Sequence, residues 1–129
     1  MNILNVLFIS AATQFSLPPG LLDSLCYVES KHDIKAIHFN DGGSNSVGIC
    51  QIKRSTAKDL GFKGTEEDLM KPEINIYYAA AYLNHQIKRY GQIEKAVIAY
   101  NQGHAGKLTN TKYSKKVFKQ WRSTQLCEN

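Results

Sequence analysis

Apolar residues recur at helical spacing along most of the chain. In the first segment Ile3, Leu4, Leu7, Phe8, Ala11 and Phe15 fall on one face of an amphipathic helix. "SLPPGLL" at 16–22 offers Ser16 as a cap and two prolines suited to a helix start, and the helix it introduces runs through Leu21, Leu22, Leu25, Cys26, Val28 and Glu29. From about residue 32 to 47 the helical period is lost, and "NDGGSNS" marks a turn-rich loop with room for a short hairpin. "STAKDLG" reads as a short helix stopped by Gly61, and "TEEDL" as a further short turn with acids at its N-terminal end. Pro72 opens the longest helix, whose stripe of Ile76, Ala79, Ala80, Leu83, Ile87 and Tyr90 ends at Gly91. Ile93, Ala96, Val97 and Tyr100 define the next, ending near "NQG", and Tyr113, Val117, Phe118 and Trp121 define the last. No stretch reads as a core strand and no repeat or linker interrupts the series. The pattern therefore predicts a single mainly α domain with at most a marginal β-hairpin.

Composition narrows the class. A chain of 129 residues can bury a core without staples, and 43% apolar with 21% charged residues fits a globular protein rather than a disordered one. No apolar run approaches the roughly 20 residues needed to span a bilayer, so no stable membrane insertion is expected. The opening "MNILNVLFISAATQF" has no Lys or Arg before Lys31, so it reads as part of the fold rather than as a signal peptide. The net charge of +5 is concentrated late: Lys107, Lys112, Lys115, Lys116, Lys119 and Arg122 face one acid, Glu128. This is either a solvated helix face or a surface for an anionic partner. Without base-stacking or groove-entry motifs, nucleic acid is not the expected partner. Three cysteines, Cys26, Cys50 and Cys127, lack metal-site spacing and cannot all pair within one chain. Their odd number argues against maturation in an oxidising compartment, and Cys26 and Cys50 are expected as small core residues.

Glu29 is the candidate for chemistry. It lies one turn beyond Leu25 and Cys26, at the end of an apolar helix that faces a polar loop. Partial burial there disfavours the charged carboxylate and raises its pKa, as a general acid for glycosidic cleavage requires. The alternative is an ordinary solvated glutamate near a helix end.

Six motifs, read in order, bear on that choice: "YVESKHDIKAI", "GICQI", "STAKDLG", "PEINIYYAAAYL", "AYNQG" and "YSKKV". The series resembles the lytic transglycosylases of the lysozyme-like superfamily, from about Leu17 to Val117. The resemblance implies a lysozyme-like fold, with Glu29 at the position of the catalytic acid. It also implies that Gly48 and Gln51 belong to a G-x-x-Q segment lining a glycan groove. Tyr100 then lies beside the catalytic carboxyl, and Asn101 helps to hold substrate. Ile49 and Cys50 depart from the usual Leu and Met, which bears on subsite shape.

The loop "DGGSNSVGICQI" also looks like that of c-type lysozymes, with Ser46 where those enzymes place a second catalytic Asp. Retaining glycosidases with a carboxylate nucleophile need two carboxyls about 5–5.5 Å apart, and serine cannot supply one. Asp33 and Asp41 are the nearest acids in sequence. With one acid, the resemblance implies cleavage of the MurNAc–GlcNAc bond of peptidoglycan glycan strands assisted by the substrate's N-acetyl group. The expected product is 1,6-anhydro-MurNAc, with Ser46 and Tyr100 orienting substrate. No metal or cofactor is needed, and a monomer is expected. A hydrolytic lysozyme and a non-catalytic peptidoglycan-binding module remain the alternatives. The expected site of action is the periplasm or cell wall, reached by a phage-encoded or virion-delivered route.

Overall fold

Local chemistry sets where most helices begin and end. The computed structural model describes residues 2–41 and 43–127. In chain order the elements are α1 (Ile3–Gln14), α2 (Leu21–Ser30), β1 (Ile37–Asp41), β2 (Ser44–Val47), β3 (Ile52–Lys53), α3 (Arg54–Asp59), α4 (Glu66–Leu69), α5 (Pro72–Tyr90), α6 (Ile93–Gln102) and α7 (Lys112–Cys127). The Asn2 side chain caps α1 by accepting the Asn5 N–H, Thr65 and Asp68 form a capping box on α4, and Pro72 occupies the first turn of α5. Gly91 and Gly103, both left-handed, stop α5 and α6. Before α7, Thr111 and Ser114 exchange side-chain and backbone hydrogen bonds of 2.7 and 3.0 Å. Ser16 does not cap α2: the helix starts at Leu21 behind left-handed Gly20, without a side-chain cap.

The main core lies between α1, α2, α5, α6 and α7. Leu21, Leu22, Leu25 and Cys26 of α2 are sealed against Ile76, Ala79, Ala80 and Leu83 of α5, with Ala96, Val97 and Val117 alongside. Each leucine buried there contributes roughly 2 kcal/mol. Of the face expected on α1, Leu4, Leu7, Phe8, Ala11 and Phe15 meet this core, while Ile3 is 70% exposed. A second, smaller core of Val47, Ile52, Ala57, Phe62 and Leu69 sits under the sheet.

The polar stretch from about 32 to 47 holds the short hairpin it has room for, β1 paired with β2, and β3 beyond it extends this to a three-stranded antiparallel sheet in the order β1-β2-β3. Its register aligns His38, Ser46 and Lys53 in one row, and Ile37, Val47 and Ile52 in the next. Successive residues of a strand point to opposite faces, so one row can meet the small core while the other stays polar. The third strand exceeds the expected hairpin. It is two residues long, too short for any period to register.

Cys26 and Cys50 correct a further expectation. They are buried, as core residues should be, but they form a disulfide. An odd cysteine count did not prevent two from pairing. At a sequence separation of 24, the bond contributes about 3 kcal/mol on the chain-entropy account. The Cys127 side chain lies outside the described residues.

The loop between β2 and β3 is buried, and its backbone polar groups are met by the protein itself. Asn75 of α5, fully buried, donates from Nδ2 to the carbonyls of Val47 (2.9 Å) and Leu69 (2.8 Å) and accepts the Cys50 N–H (2.9 Å). The Gly48 N–H donates to Ala36 O (2.8 Å), the Ser30 hydroxyl to Ile49 O (2.6 Å) and the Tyr100 hydroxyl to Cys50 O (2.7 Å). Gln51 closes the turn, its Nε2 reaching the carbonyls of Ala36 and Gly48, both at 3.0 Å. Gly48 has φ +82°, and a Cβ there would stand 2.2 Å from Asn75 Nδ2. Only glycine allows α5 this close.

At the end of α2 the left-handed residues Lys31 and His32 turn the chain back. His32 Nε2 meets Asp23 Oδ1 at 2.6 Å, and its ring packs near Phe8 and Tyr27. The hydrogen bond to Asp23 raises the His32 pKa, against burial, which lowers it.

Two predictions follow from these contacts. Asn75→Ala strands one buried donor and two buried carbonyls, so it should lower the unfolding free energy by roughly 3–5 kcal/mol in urea titrations. A loss under 1 kcal/mol would show that the loop does not depend on this side chain. A raised folded-state pKa means that the His32 contribution is fully present below the ordinary histidine value and is lost as pH rises through the folded value. His32→Ala should therefore cost more stability at about pH 5.5 than at about pH 8.5. An equal loss at both would leave only ring packing.

Candidate active site

Glu29 is the penultimate residue of α2, where the core helix emerges onto the surface. The Tyr113 hydroxyl, from the first turn of α7, donates to Glu29 Oε2 at 2.6 Å. This contact needs α2 and α7 packed side by side. Buried Val117 seals that packing, and Trp121 Nε1 donating to Pro19 O at 2.9 Å anchors its far end. Burial first, and then the Glu29 charge, hold Tyr113 well above the ordinary tyrosine pKa. Tyr100 is raised in the same way, with the same two causes in the same order. Both phenols stay protonated at any ordinary pH, so Tyr113 remains a donor to the carboxylate.

Two hollows meet at Glu29. One, of about 500 Å³, is lined by the sheet row His38, Ser46 and Lys53 and by Gln51, Tyr82, Tyr100 and Asn101, besides Glu29. The other, of about 450 Å³, runs between the ends of α2 and α6 and the start of α7, lined by Val28, Asn101, Tyr113, Lys112 and Lys116. Glu29 and Asn101 belong to both, so the two form one groove with the carboxyl group at its middle. Glu29 is the only acid among the described residues lining either part.

The expected site residues separate into two groups. Glu29, Ser46, Gln51, Tyr100 and Asn101 line the groove. Gly48 is buried against Asn75, and the hydroxyl of Tyr100 is engaged with Cys50 O. Gln51 holds its own loop through Nε2 while contributing to the groove wall. Ser46 is buried in β2, beside His38 and Lys53. Asp33 is exposed, and its Oδ1 accepts the Lys35 N–H at 2.9 Å in the turn after α2. The Asp41 side chain lies outside the described residues. Among the described residues no three His, Cys, Asp or Glu side chains gather as metal ligands.

Reading the sequence missed Tyr113, His38 and Lys53. "YSKKV" carried a signal for Tyr113 as a motif, but helical period alone classed the residue as core. His38 and Lys53 reach the groove only through strand register.

Comparison with known proteins agrees with this architecture. A sequence profile of the transglycosylase SLT domain matches residues 6–122. Protein IpgF of Shigella flexneri is 30% identical over 115 residues, covering 86% of this chain and 76% of that protein. Invasion protein IagB of Salmonella typhimurium is 31% identical over 119 residues, covering 89% and 74%. The transglycosylase of Enterobacteria phage PRD1 is 32% identical over 114 residues, covering 85% of this chain and 40% of the phage protein. Among solved structures, an inactive mutant of the lytic transglycosylase Slt from Pseudomonas aeruginosa superposes with a TM-score of 0.68 at 19% identity. That match covers 93% of this chain and 22% of the Slt chain, and it shows a shared fold. The chain belongs to the transglycosylase SLT domain family, the lytic transglycosylases of peptidoglycan.

Proposed function

We propose that this chain cleaves the MurNAc–GlcNAc β-1,4 bond of peptidoglycan without water, with Glu29 as the single acid and base. The observation that carries the proposal is a groove in which Glu29 is the one acidic side chain among the described lining residues, with Ser46, not an acid, on the sheet beside it. An open groove running past the carboxyl group on both sides suits a polymer rather than a small sugar.

In the first step Glu29, as the carboxylic acid, protonates the oxygen linking the two sugars. The Tyr113 hydroxyl donates to Oε2 of the same carboxyl group. The bond from C1 to the leaving oxygen breaks, and the N-acetyl carbonyl of the same sugar supports the cation at C1. Glu29, now a carboxylate, takes the proton of the C6 hydroxyl as that oxygen bonds to C1. The Tyr113 hydrogen bond stabilises the carboxylate between the two transfers. Both protons pass through one residue, and 1,6-anhydro-MurNAc results.

Asn101 and Gln51 line the groove wall where substrate amide and hydroxyl groups would lie. Tyr100 acts indirectly: it fixes the loop that presents Gln51, through Cys50 O. No organic cofactor enters these steps. The Cys26–Cys50 bond suits maturation in an oxidising compartment such as the periplasm, where the substrate lies. No helix among the described residues is long and apolar enough to cross a membrane.

Glu29→Gln removes the transferable proton and keeps the shape. It should lower the rate of sacculus solubilisation by roughly 10²–10⁴-fold without changing the unfolding midpoint by more than a few degrees. Retention of full activity would remove Glu29 from the chemistry.

A further inference from the structure

The groove does not end at the sheet. A further hollow of about 330 Å³ adjoins it, and Thr56, Tyr82 and Gly103 line both, so the two are continuous. Beyond those three the walls carry Asp59 of α3 and His85, Gln86 and Arg89 of α5. None of these four borders the part of the groove around Glu29. Tyr82, His85, Gln86 and Arg89 stand at helical spacing, so they share one face of α5 and floor the extension. From Tyr82 to Arg89 that face runs about 10 Å, enough for a further disaccharide. Buried Gln86 hydrogen-bonds the Tyr82 side chain and accepts Arg89 Nη1 at 3.4 Å. Arg89 Nη1 also donates to Gly103 O at 3.1 Å, and the guanidinium lies 4.8 Å from the centre of the Tyr90 ring. The guanidinium is thus held through one nitrogen, and among the described residues its other two make no hydrogen bond.

A lone cation would select an anion. Here an acid, a guanidinium, an imidazole and an amide stand together, and among the described residues Asp59 and Arg89 do not pair with each other. Such a mixture suits the hydroxyl and acetamido groups of a neutral sugar, which donate and accept at once. We propose that Asp59, His85 and Arg89 form a further glycan subsite, which holds sugar units remote from the scissile bond and makes the enzyme prefer long strands to short ones. The inference rests on the proposed function for the identity of the polymer, but not for the mechanism of cleavage. Arg89 also holds the end of α6 through Gly103 O, so the test leaves it in place.

The probes are neutral β-1,4-linked GlcNAc oligomers, a tetramer and an octamer, titrated calorimetrically into the Glu29→Gln protein. The octamer should bind roughly tenfold more tightly, the gain expected from one or two hydrogen bonds of ordinary net strength. On the same background Asp59→Ala with His85→Ala should bring that advantage down to about threefold or less and leave the affinity for the tetramer unchanged. Lys58→Ala with Lys88→Ala, on the same two helices but outside the hollow, should retain it. Equal affinities for the two lengths, an advantage that survives the first pair of substitutions, or an equal loss at both lengths would overturn the inference while leaving a glycan groove in place. Failure of both oligomers to bind would overturn the glycan reading itself, and the inference with it. Because binding by the Glu29→Gln protein does not depend on product, these outcomes are separate from any failure of the transglycosylation mechanism.

Discussion

The structure depends on a buried loop whose backbone must be satisfied without water. Between β2 and β3 the chain passes under α5, and a buried peptide group without a partner would cost several kcal/mol. Asn75 meets three such groups at once, and Ser30, Tyr100 and Gln51 meet others. Gly48 is required because no side chain fits between the loop and Asn75. The Cys26–Cys50 bond then ties this loop to α2 one turn before Glu29. The carboxyl group and the opposite wall of the groove are thus fixed to one another by short links rather than by long-range packing alone.

That constraint gives the motif residues two kinds of work. In "VES", Glu29 faces the groove while Ser30 holds the loop through Ile49 O. In "AYN", Asn101 faces the groove while the hydroxyl of Tyr100 holds the same loop through Cys50 O. Neighbouring residues on a helix point in different directions, so one short motif can serve both the site and its support. Tyr113 completes the arrangement from a third helix. A protonated phenol at 2.6 Å orients the carboxyl group, as the proposed proton transfers through Glu29 require.

The helices were legible because period 3.6 is written over many residues, and α5 and α6 end at Gly91 and Gly103, near where glycine marked them. Glu29, Gln51 and Asn101 could be singled out from short motifs that keep their order. Other features depend on contacts between distant segments. Ile52 and Lys53 become a strand only by pairing with Ser46 and Val47. Cys26 and Cys50 become partners only once α2 and the loop meet, so counting cysteines pointed the wrong way. Tyr113, 84 residues from Glu29, showed its helical period but not its hydroxyl's partner. Ser16 resembled a cap, yet the turn before α2 is made by left-handed Gly20.

Among the described residues the sheet row of His38, Ser46 and Lys53 holds no carboxylate, and in the proposed mechanism the substrate's own groups stabilise the cation. Digestion of sacculi in ¹⁸O-labelled water tests this claim most directly, with the released fragments read by mass spectrometry. The account predicts fragments ending in 1,6-anhydro-MurNAc that carry no label. Reducing-end MurNAc with ¹⁸O at C1 would contradict it and require a second catalytic group.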